Sequence, residues 1–232
     1  MTTDGPRRSV LVIGRSQRVL DDIVDGLRDL GYTAQGTNEF FSDIPGRFDV
    51  TEIDLVVFGG AVPPDRKAEL RKEITAISPQ VNFLQSLVGI PGVIISQVQA
   101  AFTMGCQDPA YAPEYTPGDR SIRLTLAEPA AVKVTAWWRT SIVPPDPQSD
   151  SLVLVDGRLA RGDHTIPVPD QAFRPPRRSP NSPTLHASAF ATVQVDAAIY
   201  AFAIAAGDGP PASSAASLSS RSAPLRIKGG QP

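Results

Sequence analysis

The sequence predicts an α/β domain built on a mostly parallel sheet, then a small all-β sandwich, then a disordered tail. Three observations carry this reading. Residues 9–104 alternate short apolar runs with stretches in which apolar residues recur at helical spacing. Beyond residue 119 the apolar pattern changes to strict alternation, the period of a strand with one buried face. The stretch from Gly207, "GDGPPASSAASLSSRSAPLRIKGGQP", is rich in Gly, Pro, Ala and Ser and cannot bury enough surface to order itself. The boundaries fall at 1–104 for the α/β domain, 105–119 for a linker, 120–206 for the β domain and 207–232 for the tail.

"SVLVIG" is an uninterrupted apolar run, the mark of a strand buried on both faces. After it Leu20, Ile23, Val24, Leu27 and Leu30 form one helical stripe, with Asp21, Asp22, Asp25, Arg28 and Asp29 on the other face. Gly31 is placed to end that helix in a left-handed cap. "YTAQG" reads as a second strand and "IDLVVFG" as the third, while 37–52 between them has no helical pattern and reads as irregular. Asp65 opens a second helix with Leu70, Ile74 and Ile77 inward, and Pro79 stops it. "VNFLQS" is the fourth strand. Pro91 suits a helix first turn, and Ile94, Ile95, Val98, Ala101 and Phe102 make its apolar stripe.

Residues 105–119, "GCQDPAYAPEYTPGD", have linker composition. Ile122, Leu124 and Leu126 then alternate with polar residues, as do Val132, Val134 and Ala136. "SLVLVDGRLA" carries a hairpin signal at Asp156-Gly157. "FATVQVDAAIYAFAI" supplies one or two closing strands. On the strand holding Trp137-Trp138, Trp138 shares parity with the core residues, and Trp137 is thrown to the opposite face, which predicts a covered surface there.

Composition narrows the function classes. A formal net charge of -2 gives no basic field to attract nucleic acid or anionic membrane. The longest apolar run, "AAIYAFAIAAG", is too short for a bilayer, which takes about 20 residues. No signal-peptide pattern follows "MTTDGPRRSV", so the reading is of a cytoplasmic protein. One cysteine, Cys106, excludes an internal disulfide and a cysteine-cluster zinc site, and two histidines, His164 and His186, leave little for a histidine-based one. No metal is expected. Cys106 with His164 would be a nucleophile and base, but no spacing supports it; a lone cysteine is ordinarily an inert thiol. "RPPRR", 174–178, reads as a solvated basic loop.

In an open parallel sheet, ligands gather outside the C-terminal ends of the strands. The residues placed there are Gly14, Arg15 and Ser16, then Asn38 and Glu39, then Gly59 and Gly60, then Ser86. "DLVVFGGAVPP" resembles the third strand of response-regulator receiver domains, whose pattern is Asp-Leu-Val-x-x-Asp-x-x-Met-Pro. Val62-Pro63 matches the Met-Pro, and Gly59 stands in place of the phosphoacceptor aspartate. Gly14-Arg15-Ser16 stands where a receiver carries the acids that hold magnesium; Ser86 matches the hydroxyl residue after the fourth strand. The resemblance implies a receiver-like module without phosphoryl chemistry. A competing resemblance is to the dinucleotide-binding Rossmann domain, with Gly14 as first glycine and Glu39 near the position of the ribose-binding acid. Ser16 and Val19 stand where its second and third glycines belong. The blandest reading is that the glycines only allow tight turns.

The expected function is a non-phosphorylatable binding or accessory module. It acts through a protein partner or a second copy of itself, or through a small anionic ligand. The alternative is an enzyme that binds a nucleotide cofactor on the first-domain rim, facing the β domain.

Overall fold

The computed structural model describes residues 8–103, 112–142, 146–176 and 188–205. Cys106, His186, Arg177 and Arg178 of the basic loop, and the tail lie outside them.

Strands β1 (Ser9–Ile13), β2 (Thr33–Thr37), β3 (Leu55–Phe58) and β4 (Asn82–Gln85) form one parallel sheet in the order β2-β1-β3-β4. β1 and β3 are central and apolar at every position but one, because both sheet faces are covered. Their alternation deals side chains to two clusters. Val10, Val12, Leu55 and Val57 pack with helices α1 (Gln17–Asp29) and α4 (Pro91–Thr103). Leu11, Ile13, Val56 and Phe58 pack on the other face with α3 (Pro64–Ile77) and the 38–53 connector.

The helix boundaries have local causes. Ser16 caps α1, its Oγ accepting from the Val19 N–H at 3.3 Å. Gly31 follows at φ 87°, the left-handed closure that glycine permits. Leu30 is at the C-cap and 50% exposed, so the stripe ends at Leu27. The 37–52 connector is more regular than its pattern predicts. Asp43 caps the short helix α2 (Ile44–Arg47) and Asp49 caps a 3-10 turn, Val50–Glu52, and each turn buries one aliphatic residue. In α3, Leu70 and Ile74 are buried but Ile77 is 50% exposed. The buried stripe advances by fours, from 70 to 74 to Ser78, and leaves Ile77 beside it.

The C-terminal part holds two antiparallel sheets. One has the order β11-β10-β7-β8, from β7 (Ala130–Ser141), β8 (Gln148–Leu159), β10 (Ser188–Val195) and β11 (Ala198–Ala205). The other has the order β5-β6-β9, from β5 (Glu114–Thr116), β6 (Ser121–Leu126) and β9 (Gly162–Pro167). Both contribute to one apolar cluster, with Ile122, Leu124 and Ile166 from the smaller sheet and Val134, Trp138, Val193 and Phe202 from the larger.

Two expectations are corrected. β5 lies inside the stretch read as linker, because Tyr115 packs against the apolar cluster and the strand pairs with β6. Asp156-Gly157 is not a turn. β8 runs through it, with Gly157 opposite Val132 and Asp156 paired to Lys133 at 3.2 Å. A bulge opposite Val134 and Thr135 absorbs the extra residue, and the chain turns instead before Gly162, at φ 129°.

Helix α4 joins the two parts. Ile94 and Val98 face α1 and the parallel sheet, whereas Val93 turns to a second cluster with Val88, Ile90, Phe190 and Trp137. Among the described residues no helix is long and apolar enough to cross a membrane.

Candidate functional site

The chain leaves β1 through α1 to reach β2 on one side of the sheet. It leaves β3 through α3 to reach β4 on the other. The two exits diverge, and a crevice opens between the ends of β1 and β3, the switch point of an open parallel sheet. A cavity of about 590 Å³ lies there. Its floor includes Gly14, Arg15, Ser16, Gly59 and Gly60, and its far wall is Arg139, near the end of β7, with Ile142 and Asp146 between β7 and β8.

Five of the eight rim residues expected from the sequence therefore meet in one cleft: Gly14, Arg15, Ser16, Gly59 and Gly60. Three do not line it. Asn38 and Glu39 follow β2, which lies on the far side of β1 from β3. Asn38 is exposed, and the Glu39 carboxylate pairs with Arg47. Ser86 follows β4, beyond β3, and its buried hydroxyl has no hydrogen-bond partner among the described residues.

Ser16 joins the two parts of the chain. While capping α1 it donates its Oγ–H to Asp146 Oδ1. The amides of Gln17 and Arg18, in the first turn, have no intrahelical acceptor, so the helix end carries partial positive charge toward Asp146. Arg15 is exposed to solvent. Arg139 differs: its Nε is buried with no hydrogen-bond partner, and burial holds its guanidinium below the usual arginine pKa. The cleft thus sets two arginines against one aspartate, over a floor and walls that include Val12, Val57, Leu20 and Ile94.

Sequence reasoning passed over Arg139, Ile142 and Asp146. A signal existed for the first: Arg139 shares parity with Trp137, on the face turned away from the β core. Trp137 packs against Val88, Ile90 and Val93 of the first part, and its Nε1 donates to Thr192 Oγ1 at 2.9 Å. His164 stands apart from the cleft on β9, its Nε2 within 2.8 Å of the Ala160 carbonyl. Among the described residues, no three His, Cys, Asp or Glu side chains cluster to hold a metal ion.

The two glycines after β3 differ in what a side chain would meet. A Cβ at Gly59 would lie 3.3 Å from Gly14 Cα and Ile13 O, both backbone atoms that cannot swing away, whereas at Gly60 nothing lies within 4 Å. Gly59→Ala is expected to destabilise by about 1 kcal/mol through overpacking. Gly60→Ala is expected to be neutral or to stabilise by about 0.4–1 kcal/mol by restricting the unfolded chain. Urea denaturation of both variants checks this; equal midpoints would contradict the close backbone approach.

The sequence matches no known protein family, and no curated protein matches it.

Proposed function

We propose that this protein is a non-phosphorylatable binding module, an accessory rather than a catalyst, that holds a small anionic ligand in the cleft at the β1/β3 switch point and acts through protein contacts. The observation that carries this reading is the cleft itself: a cavity of about 590 Å³, in the size range of small-molecule sites, with a helix N-terminus and two arginines on its walls. Among the described residues Asp146 is the one carboxylate on its lining, and no second carboxylate or histidine accompanies it. That favours binding over acid–base catalysis.

The first part reads as a degenerate receiver. Its β2-β1-β3-β4 order agrees with the first four strands of the flavodoxin-like arrangement, and Gly59 offers no carboxylate to phosphorylate. The two antiparallel sheets read as a small sandwich, and the protein as cytoplasmic. β8 is the edge of its sheet, with Leu152 and Val153 exposed, which supports contact with a protein partner or a second copy. One observation favours the enzyme reading with a nucleotide cofactor: the cleft is shared between the sheet rim and the β part, where such a site was expected.

A thermal-shift panel of phosphate, nucleotides, dinucleotides and organic carboxylates tests the binding reading. At least one anion is expected to stabilise saturably, by about 2.7 kcal/mol at a hundredfold excess over Kd. Gly60→Asp, which sets a carboxylate into open space in the cleft, should abolish the shift. Acetyl phosphate should leave the intact mass unchanged. Absence of any saturable shift across the panel would sink the reading.

A further inference from the structure

We infer that the ligand of this cleft is an amphiphilic anion, an oxyanion head on an apolar body, whose head is held by Arg139 and whose body lies on the apolar floor. This rests on the binding reading above and goes further by naming the anchor and the ligand class.

Three observations converge. Asp146 stands at the start of α1, where it accepts the Ser16 hydroxyl and sets a negative charge beside the helix end. Arg15 is exposed, where water competes with any anion it meets. Arg139 is the cation left over: among the described residues its guanidinium has no carboxylate within salt-bridge distance, and its buried Nε–H has no acceptor. A buried donor without an acceptor is costly, and a carboxylate or phosphoryl oxygen is the acceptor that suits a planar guanidinium.

The remaining lining decides what the head is attached to. Val19, Ala61, Ile142 and Pro147, none of them buried, present apolar surface to the cavity above a layer of buried aliphatic side chains. A ribose or a second phosphate would be buried against these side chains with its hydroxyls and oxygens unpaired, a loss that water does not impose. An alkyl or aryl body gains from the same surface. A nucleotide is therefore the poorer occupant, although the cleft sits where such folds often hold one.

Titration calorimetry of the full chain tests this with decanoate, decyl phosphate, decanol and adenosine monophosphate. Decanoate or decyl phosphate is expected to bind at least about tenfold tighter than decanol, the worth of a charge-assisted hydrogen bond, and tighter than the nucleotide. The tighter of the two charged probes identifies the head. Arg139→Gln should bring the charged probe down to the affinity of decanol and leave decanol unchanged, while Arg139→Lys retains part of the preference. Should Arg139→Gln fail to fold, the ratio of decanoate or decyl phosphate to decanol on the unaltered protein still decides. Equal affinities for the charged and neutral probes would overturn the inference. So would saturable nucleotide binding, blocked by Gly60→Asp, without binding of either amphiphile; the binding-module reading would then survive. Binding of none of these anions would overturn the inference, and with no shift across the thermal-shift panel the binding reading would fall as well.

Discussion

Gly92→Ala is expected to destabilise the protein by about 2–3 kcal/mol, an effect far above the roughly 1 kcal/mol gain that helix propensity alone would give. Gly92 sits in the first turn of α4, and a Cβ built there would lie 1.9 Å from the Trp137 ring. The ring has little freedom to retreat. Its Nε1 is bonded to Thr192, and its faces meet Val88, Ile90, Val93 and Phe190. The added methyl must push α4 off the β part or drive the indole out of its rotamer. Trp137→Leu should cost about 2–3 kcal/mol by itself, through lost apolar contact and an unpaired Thr192 hydroxyl. The two changes are expected to be non-additive, because a leucine vacates the space that the alanine methyl needs. Urea denaturation of the four proteins measures this. Strict additivity would show that Gly92 and Trp137 do not share a contact.

Arg66→Met is expected to cost about 2–3 kcal/mol, more than any surface ion pair accounts for. The Arg66 side chain is 12% exposed and ties α3 to the connector after β2. Its Nε donates to the Phe40 carbonyl at 2.7 Å and its Nη2 to the Ser42 carbonyl at 3.1 Å, while Nη1 reaches Glu69 and Glu73, each at 3.1 Å. The two carboxylates are well exposed, so water replaces their partner at little cost. The carbonyls are part-buried, and each charged bond lost there is worth about 1.5 kcal/mol. Two outcomes separate this account from a simple salt bridge. Arg66→Lys should rescue little, since an ammonium cannot reach both carbonyls with a planar fork. Added salt should change the loss by only a small fraction, because carbonyl bonds are less screened than exposed charges. Amide exchange over residues 38–43 should also quicken well before global unfolding. Full rescue by Arg66→Lys would contradict the carbonyl account.

The sequence by itself determined the parallel-sheet part. Its strands are apolar runs, its helices are stripes, and α1 ends at Gly31 through the backbone freedom of glycine, so each of these is written within a few neighbouring residues; the caps at Asp43 and Asp49 are equally local, but the pattern of 37–52 did not announce the turns they start. The opposite throw of Trp137 and Trp138 was legible for the same reason, since strand parity is a local property. What the alternation left open was decided by partners far along the chain. Asp156-Gly157 has turn chemistry but stays in β8 because β7 offers it a continuous ladder and Lys133. Ile77 is apolar but exposed because the helix surface it occupies faces no sheet.

The site divides in the same way. Gly14, Arg15, Ser16, Gly59 and Gly60 were legible because strand ends mark the rim of any open sheet, while Asn38, Glu39 and Ser86 share that mark and fall outside the cleft. Only the strand order β2-β1-β3-β4 selects the ends of β1 and β3 as neighbours at the switch point. Only the docking of α4 against β10, β11 and Trp137 brings Arg139 and Asp146 over them, from 130 residues away in the case of Ser16 and Asp146. Local pattern reports what each segment is. Which segments meet is settled by burial across the whole chain, and the cleft exists at that level alone.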